Sequence, residues 1–175
     1  MRRVALGVYP IFLMLSVLAQ ERPISGRGEQ RIVREVRHEL VMLPYLNVFD
    51  NLEYKVQGST VILSGQVTRP TLKSDAGNAV KNIEGVEKIV NNIEVLPPSA
   101  MDDRIRRAVF HAVYGSPGLD RYALQAVPPI HIIVKNGNVT LEGVIASGAD
   151  KNLAGLRANG VSGVFSVTNN LRAEK

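Results

Sequence analysis

Residues 61–67 read VILSGQV, and residues 139–145, 78 positions later, read VTLEGVI. The match continues without a gap over residues 61–95 and 139–173, with ten identities in 35 positions. Chance would give about two identities over that length. In each stretch an apolar strand pattern is followed by a helical pattern, a glycine and a second apolar strand pattern. The sequence therefore predicts one folding unit that occurs twice.

Glycine and asparagine recur at matching places in both units. We interpret Gly65 and Gly143 as places where neighbouring backbone crowds the sheet, because a strand glycine commonly marks a close approach. A glycine just after a helix ends it readily, since glycine tolerates a positive φ. The asparagine pairs are predicted to satisfy nearby backbone groups, because asparagine is depleted in strands. The predicted structural motif comprises Gly65, Gly85, Asn91 and Asn92, with Gly143, Gly163, Asn169 and Asn170 as counterparts.

A helix is predicted to precede each unit. Apolar residues recur at helical spacing over residues 32–43, and residues 31–38 match residues 104–111 at a shift of 73. The second unit therefore carries five extra residues before its first strand, within the Pro-flanked stretch 116–129. The predicted fold class is α+β: two tandem αββαβ modules, each a three-stranded mixed sheet packed against two helices.

The remaining elements follow from apolar periodicity and from the turn residues between them. The last helix has only a thin apolar face, to which Leu153 and Leu156 contribute. Two prolines stiffen the connection between the modules. The predicted strands are 52–56, 60–67, 86–95, 130–135, 139–145 and 164–171, and the predicted second helices are 70–83 and 148–159. The predicted divisions are a signal peptide at 1–19, a flexible lead-in at 20–29, a first domain at 30–96, a linker at 97–100 and a second domain at 101–173.

The first residues have the pattern of an export signal. Arg2 and Arg3 supply positive charge, residues 4–18 form an apolar run, and Ala19 offers a cleavage point. The run is shorter than the ~20 residues that span a bilayer comfortably. We therefore expect a periplasmic or secreted protein after cleavage of the signal peptide. The alternative is an uncleaved N-terminal membrane anchor.

Composition narrows the range of functions. The chain has no cysteine, which excludes disulfides, thiolate metal sites and cysteine nucleophiles. Its formal net charge is +5; without Arg2 and Arg3 of the predicted signal peptide, 19 basic residues against 16 acidic ones leave +3, which permits attraction to an anionic membrane surface without requiring it. His38, His111 and His131 follow no metal-ligand spacing and no triad order, so we interpret them as structural or surface residues. The sequence therefore predicts no enzyme, no cofactor and no metal site. It also predicts no nucleic-acid partner, since no aromatic platform accompanies the basic residues.

The repeated motifs resemble the BON domain, a module of exported bacterial proteins named for osmotic-stress and nodulation proteins. The resemblance covers roughly residues 30–96 and 101–173 and implies a small αββαβ module, twice per chain, in the cell envelope. Dual-module relatives are associated with anionic phospholipid, with envelope integrity under osmotic stress and with periplasmic chaperoning, and others are transport-associated. The chain lacks the lipidated cysteine of lipoprotein relatives. The matching pieces are residues 61–67, 83–86 and 90–93 and their counterparts 139–145, 161–164 and 168–171.

Arginines recur along the first helix of each module at steps of three or four residues. Guanidinium groups can hydrogen-bond lipid phosphates bidentately, which lysine cannot match. The alternative is an ordinary solvated face, because Glu35 and Glu39 lie near enough to pair with those arginines. The candidate lipid-binding residues are Arg31, Arg34, Arg104 and Arg107.

The expected function is that of a non-enzymatic binding protein of the cell envelope. Its expected partner is an anionic phospholipid surface or an envelope protein, in support of envelope integrity or osmotic-stress tolerance. The alternative is a soluble periplasmic chaperone or stress protein.

Overall fold

Two modules of the same topology follow each other in the computed structural model, which describes residues 26–125 and 128–174. The predicted signal peptide at 1–19 lies outside the described residues, as do residues 20–25 of the predicted lead-in. The first helix begins at Gly26, so residues 26–29, which the sequence analysis placed in the lead-in, are helical. We refer to residues 26–96 as the first module and to residues 100–174 as the second module.

In the first module two strands form an antiparallel hairpin, and a helix leads from it to a third strand region parallel to the second strand. Tyr54 lies opposite Leu63 in the hairpin, and both residues point toward the helices. The first helix contacts both the second helix and the first strand. The elements are α1 (Gly26–Val41), β1 (Asn51–Gln57), β2 (Thr60–Val67), α2 (Pro70–Lys81), β3 (Lys88–Asn91) and β4 (Glu94–Val95).

The second module repeats this order. Its hairpin turns at Asn136 and Gly137, which both have positive φ (53° and 77°), as a two-residue turn of this kind requires. The module is therefore α+β with a mixed sheet, like the first. The elements are α3 (Ala100–Tyr114), a 3-10 helix (Asp120–Leu124), β5 (Ile130–Lys135), β6 (Asn138–Ile145), α4 (Gly148–Asn159), β7 (Ser166–Asn169) and β8 (Arg172–Ala173).

The third strand of each module, predicted as one piece, is divided into two short segments. Asn91 donates its side-chain N–H to the Lys73 carbonyl of α2 at 2.8 Å, and its Oδ1 accepts the Ile93 N–H at 3.2 Å. Asn169 makes the same pair of contacts, with Lys151 as the carbonyl partner. The hydrogen bonds to β2 around this point come from the Asn92 and Leu96 N–H groups, so Asn91 satisfies an N–H group outside that ladder, at the break, and ties the strand to the helix.

Each module has its own apolar core, formed where the helices cover one face of the sheet. Alternate strand residues and the inner stripes of the helices supply it, as the sequence pattern predicts. In α4 the small residues Ala154 and Ala158 are buried, whereas Leu156 is 69% exposed. The prediction that Leu156 contributes to the apolar face of this helix is therefore wrong. The main core residues are Ile32, Val36, Leu63, Leu72 and Val80 in the first module and Val109, Val113, Ile132, Leu141 and Leu171 in the second.

Gly65 and Gly143 occupy equivalent positions where strand backbones meet very closely. Their φ angles are +106° and +128°, in the region that side chains other than glycine rarely adopt. A Cβ atom at Gly65 would overlap the Asn51 carbonyl oxygen, and one at Gly143 would overlap the Pro129 carbonyl oxygen. The hairpin of each module can therefore form in this geometry only with glycine at that place.

The additional residues of the second module are fastened to its core. Tyr122, on the 3-10 helix, donates its hydroxyl hydrogen to Asp150 at 2.9 Å, and the same hydroxyl accepts the Ala146 N–H. Arg121 forms an ion pair with the same Asp150 carboxylate. These contacts hold the 3-10 helix, Asp120–Leu124, against the start of α4, so this part of the insertion is packed on the module.

Candidate functional site

The two modules are joined by a contact between a loop of the first and the outer edge of the sheet of the second. The Ile132 N–H of β5 donates to the Val48 carbonyl at 2.7 Å. Next to it Phe49 packs edge-on against Phe110 of α3, with ring centroids 6.2 Å apart. Aromatic pairs at this spacing and angle are favourable beyond the area that they bury. The loop therefore acts as a clasp between the modules.

Three buried apolar residues belong to neither core and mark the interface between the modules. Val48, Leu96 and Ile133 are 9%, 3% and 4% exposed, yet none of them lies in either core cluster. Ile133 faces away from its own core, because its neighbours in β5 point inward and side chains alternate along a strand. An ion pair between Lys135 and Glu94 lies at the same side. The modules therefore share a small apolar interface of their own.

A cavity of about 870 Å³ opens beside this interface and is lined by both modules. One wall is formed by the last turn of α1 and the start of β1, and the other by the outer face of the second sheet. We call this cavity the inter-module groove. Its lining includes the apolar residues Leu40, Val41, Leu46, Leu52 and Val144, the charged residues Arg37, Glu53, Glu142 and Arg172, and the imidazole of His131.

His131 lies in the floor of this groove, on the face of β5 that points away from the core. Burial lowers the pKa of His131 below its usual range, and the nearby Asp50 and Glu142 offset this only in part. Its Nδ1 atom is buried and has no hydrogen-bond partner among the described residues. The imidazole is therefore neutral at neutral pH and has a free ring nitrogen.

Stability is expected to fall on acidification because of this histidine. The unfolded chain takes up a proton near the ordinary pKa of 6.5, whereas the folded chain does so only at lower pH. The contribution of neutral His131 is therefore present above pH 6.5 and lost as the pH falls below it. Urea denaturation at about pH 7.5 and about pH 5 measures the loss, and H131Q should reduce it. H38Q and H111Q, at exposed positions, should not; an unchanged pH dependence in H131Q would contradict the assignment.

Two buried carboxylates that the sequence analysis did not single out hold turns in place. Asp50 accepts the Thr68 N–H at 2.6 Å and the Thr68 hydroxyl at 2.8 Å. Asp102 accepts the N–H groups of Asn136 and Gly137, at the tip of the second hairpin. Both residues are 1% exposed or less, and their roles are structural. The Asn-Gly turn predicts the hairpin, but no local pattern links it to an aspartate 34 residues away.

The four predicted lipid-binding arginines differ in their surroundings. Arg31 donates to Glu35 at 2.9 Å and to the Glu84 carbonyl at 2.8 Å, and it also forms an ion pair with the Glu84 carboxylate. Its guanidinium is therefore already engaged within the first module. Arg34, Arg104 and Arg107 are exposed, and none of them forms an ion pair with a carboxylate of the described residues.

The repeat explains why Arg104 has no carboxylate partner in the part of the chain that the structure describes, whereas its counterpart Arg31 is paired. The position of Glu35 is Ala108 in the second module, and the position of Glu84 is Ser162. Both acidic partners are therefore missing. The Arg104 guanidinium instead lies 3.1 Å from the Met101 sulfur atom. The arginine is kept in the second copy while its neutralising carboxylates are not.

Exposed apolar side chains lie at the same end of the second module. Phe165 is 83% exposed and Met101 is 48% exposed; Phe165 lies beside Gly137, and the Met101 side chain lies beside Gly163. Their counterparts in the first module are Glu87 and Gly28. We call the group Met101, Arg104 and Phe165 the basic-apolar end. It combines positive charge with exposed apolar area, which the first module lacks at this place.

Within residues 26–125 and 128–174, no group of three or more acidic or histidine side chains is arranged to hold a metal ion. His38 and His111 are exposed on helices of different modules, and His131 lies in the groove. No helix in these two ranges has the length and apolar character needed to cross a membrane.

Comparison with known proteins relates the two modules to one family. The family model described as the BON domain matches residues 28–97 and again residues 102–175. Among solved structures, the chain is similar to CdsD, a structural protein of the type III secretion system of Chlamydia trachomatis, with 11% identity, a TM-score of 0.33, and coverage of 82% of this chain and 92% of that chain. The C-terminal domain of CdsD gives 11% identity and a TM-score of 0.29, with coverage of 82% and 98%. A search of curated proteins finds no match.

Proposed function

Because this chain belongs to the BON domain family and carries the domain twice, we propose that it is a non-enzymatic binding protein of the bacterial cell envelope that docks on anionic phospholipid surfaces. The basic-apolar end of the second module is the part that touches the membrane. The proposal includes export to the periplasm and a role in envelope integrity under osmotic stress.

The observation that carries this proposal is the difference between the copies at equivalent positions. Where the first module has Arg31 paired with Glu35 and Glu84, the second has Arg104 without a carboxylate partner among residues 26–125 and 128–174. Where the first has Glu87, the second has Phe165 at 83% exposure. Loss of acidic groups and gain of apolar area at one place favour contact with a negatively charged, partly apolar surface.

The physical basis is a combination of two modest effects. A basic side chain near an anionic leaflet contributes about 1 kcal/mol and is screened by salt. The free energy falls when phenylalanine and methionine side chains leave water for the boundary between headgroups and acyl chains. Neither effect alone anchors a protein, so we expect reversible docking that depends on both.

Vesicle co-sedimentation tests this proposal. The protein should bind vesicles that contain phosphatidylglycerol and not vesicles of phosphatidylcholine alone, and binding should weaken as salt is raised. R104Q and F165S should each weaken binding by roughly 5-fold, since each removes about 1 kcal/mol.

Matched controls are available on the same chain. R157Q and L156S remove an exposed arginine and an exposed leucine from α4; both should bind as the parent does. Equal binding to both vesicle types, or full binding by the R104Q/F165S double variant, would refute the proposal. Lipid-independent suppression of client aggregation by that double variant would favour a chaperone instead.

A further inference from the structure

We propose that the protein forms a symmetric dimer in which β1 pairs antiparallel with the β1 strand of a second copy, with Tyr54 at the twofold axis. This pairing joins the two first modules into one continuous sheet. It goes beyond the proposed membrane docking, because it uses the outer strand of the first module, whereas docking uses the basic-apolar end of the second.

The outer edge of β1 has backbone groups that no strand pairs with. Gln57 and Thr60 flank a two-residue turn and lie opposite each other, so they form a hydrogen-bonded pair, and such pairs alternate along the ladder. Leu63, opposite Tyr54, accordingly gives its carbonyl to the Asn92 N–H on the far side. The residues whose N–H and carbonyl groups point outward from β1 are Leu52, Tyr54 and Val56. No backbone group in the described part of the chain is hydrogen-bonded to these outward groups.

The equivalent edge in the second module, on β5, is closed by side chains that the first module lacks. Arg106 donates to the Val134 carbonyl at 2.7 Å, and the Tyr114 hydroxyl donates to the Ile130 carbonyl at 2.7 Å. The counterparts of Arg106 and Tyr114 on α1 are Val33 and Val41. Valine side chains cannot hydrogen-bond a strand, and these two are 37% and 45% exposed. The edge of β1 is therefore open where its counterpart is capped.

The inter-module groove follows this open edge. Leu52, Glu53 and Tyr54 all line it. Because successive strand residues point to opposite faces of a sheet, a space that touches all three lies at the border of the sheet. The lining also holds two arginines and two glutamates, so its charge selects neither an anion nor a cation. The volume of about 870 Å³ leaves space beside β1 for the end of an added strand.

The order of residues along β1 is complementary to itself. The strand reads NLEYKVQ, and pairing about Tyr54 places Glu53 opposite Lys55 of the second copy, twice by symmetry. It also places Leu52 opposite Val56 on the face that the helices cover. Opposite charges and apolar pairs directly across antiparallel strands are both stabilising. The residues at the two ends of the strand, which also lie opposite each other, are the amides Asn51 and Gln57.

Charge also fixes the register of this pairing. A shift by two residues in one direction places Glu53 opposite a second Glu53, and a shift in the other direction places Lys55 opposite a second Lys55, and like charges across strands are destabilising. Within their own hairpin these residues face the uncharged Ser64 and Ile62. Neither charge forms an ion pair within residues 26–125 and 128–174. Both are therefore available to a second copy.

Sedimentation equilibrium of the purified protein tests the proposal. One added strand pair is a small interface, so we expect a weak, reversible dimer at a protein concentration of about 100 µM. E53K and K55E should each raise the dissociation constant about 10-fold, because both symmetric charge pairs change from attractive to repulsive. An equimolar mixture of E53K and K55E should dimerise again, since every glutamate at these positions then faces a lysine.

The control is K88E, which makes the same charge reversal on β3, at the opposite side of the same sheet, and should dimerise as the parent does. Circular dichroism shows whether each variant is folded. Exchange of the Tyr54 amide hydrogen should slow as the protein concentration rises. A protein that stays monomeric, a dimer that neither single variant weakens, or a mixture that binds no more tightly than either variant alone would overturn the proposal. Slower exchange of that amide on addition of an unrelated strand-forming peptide, in a protein that stays monomeric, would overturn it in favour of a foreign strand.

Discussion

G143A is expected to destabilise the second module by about 4 kcal/mol or more, so that this module no longer folds stably. The position has a φ of +128°, and the added methyl group would overlap the Pro129 carbonyl oxygen. Strain at such a φ is combined here with a clash against rigid backbone, and a backbone atom cannot rotate away as a flexible side chain can. G65A should have the same effect in the first module, where the overlap is with the Asn51 carbonyl oxygen.

Urea denaturation followed by circular dichroism measures this loss. The matched control is G148A, since Gly148 lies in the first turn of α4 and no atom outside its immediate surroundings lies within 4 Å of an added Cβ. That substitution should be neutral or slightly stabilising, because alanine restricts the unfolded chain and favours the helix. If G143A unfolds at the same urea concentration as G148A, the close approach of β6 to Pro129 is not a fixed feature of the fold.

I133D is expected to separate the two modules while each remains folded. Ile133 is 4% exposed and faces away from the core of its own module, so the aspartate would lie in the apolar interface between the modules. Burial of an unpaired carboxylate costs several kcal/mol. An interface that rests on Val48, Leu96 and the Phe49–Phe110 contact can avoid this cost by opening.

Small-angle X-ray scattering should report a larger radius of gyration for I133D, with near-parental circular dichroism. Denaturation should change from a shared transition to two separate ones. The control is T168D, which places the same charge on the same face of the sheet at an exposed position. An unchanged scattering curve in I133D would show that Ile133 is not buried between the modules.

The order of elements could be predicted from the sequence because it rests on local patterns that occur twice. Apolar residues at helical spacing, alternating apolar residues in strands and turn residues occur at matching places in both copies. This agreement decides between helix and strand where a single copy would not. The glycine and asparagine positions were informative for the same reason. The division of the third strand was not predicted, and the Asn91 side chain beside it bonds the Lys73 carbonyl, 18 residues away, which no local pattern reveals.

The contacts between the modules could not be predicted in this way. Phe49 contacts Phe110, and the Val48 carbonyl accepts from Ile132, but these residues have no matching pair in the other copy. The sequence also did not show which arginines have a carboxylate partner in the fold. Arg31 is engaged by Glu84, 53 residues away, and only the fold shows that its counterpart Arg104 lacks such a partner. Both the groove and the basic-apolar end arise where the copies differ.

The clasp between the modules also bears on self-association. A strand at the border of a sheet offers unpaired N–H groups to which another chain can add, and this is a common route to aggregation. In β5 the Ile130 N–H donates to the Tyr114 hydroxyl at 3.1 Å, and the Ile132 N–H donates to the Val48 carbonyl at 2.7 Å. The N–H groups of Ile130 and Ile132 at this edge of the sheet are therefore already hydrogen-bonded. A second chain cannot use them to add a strand there.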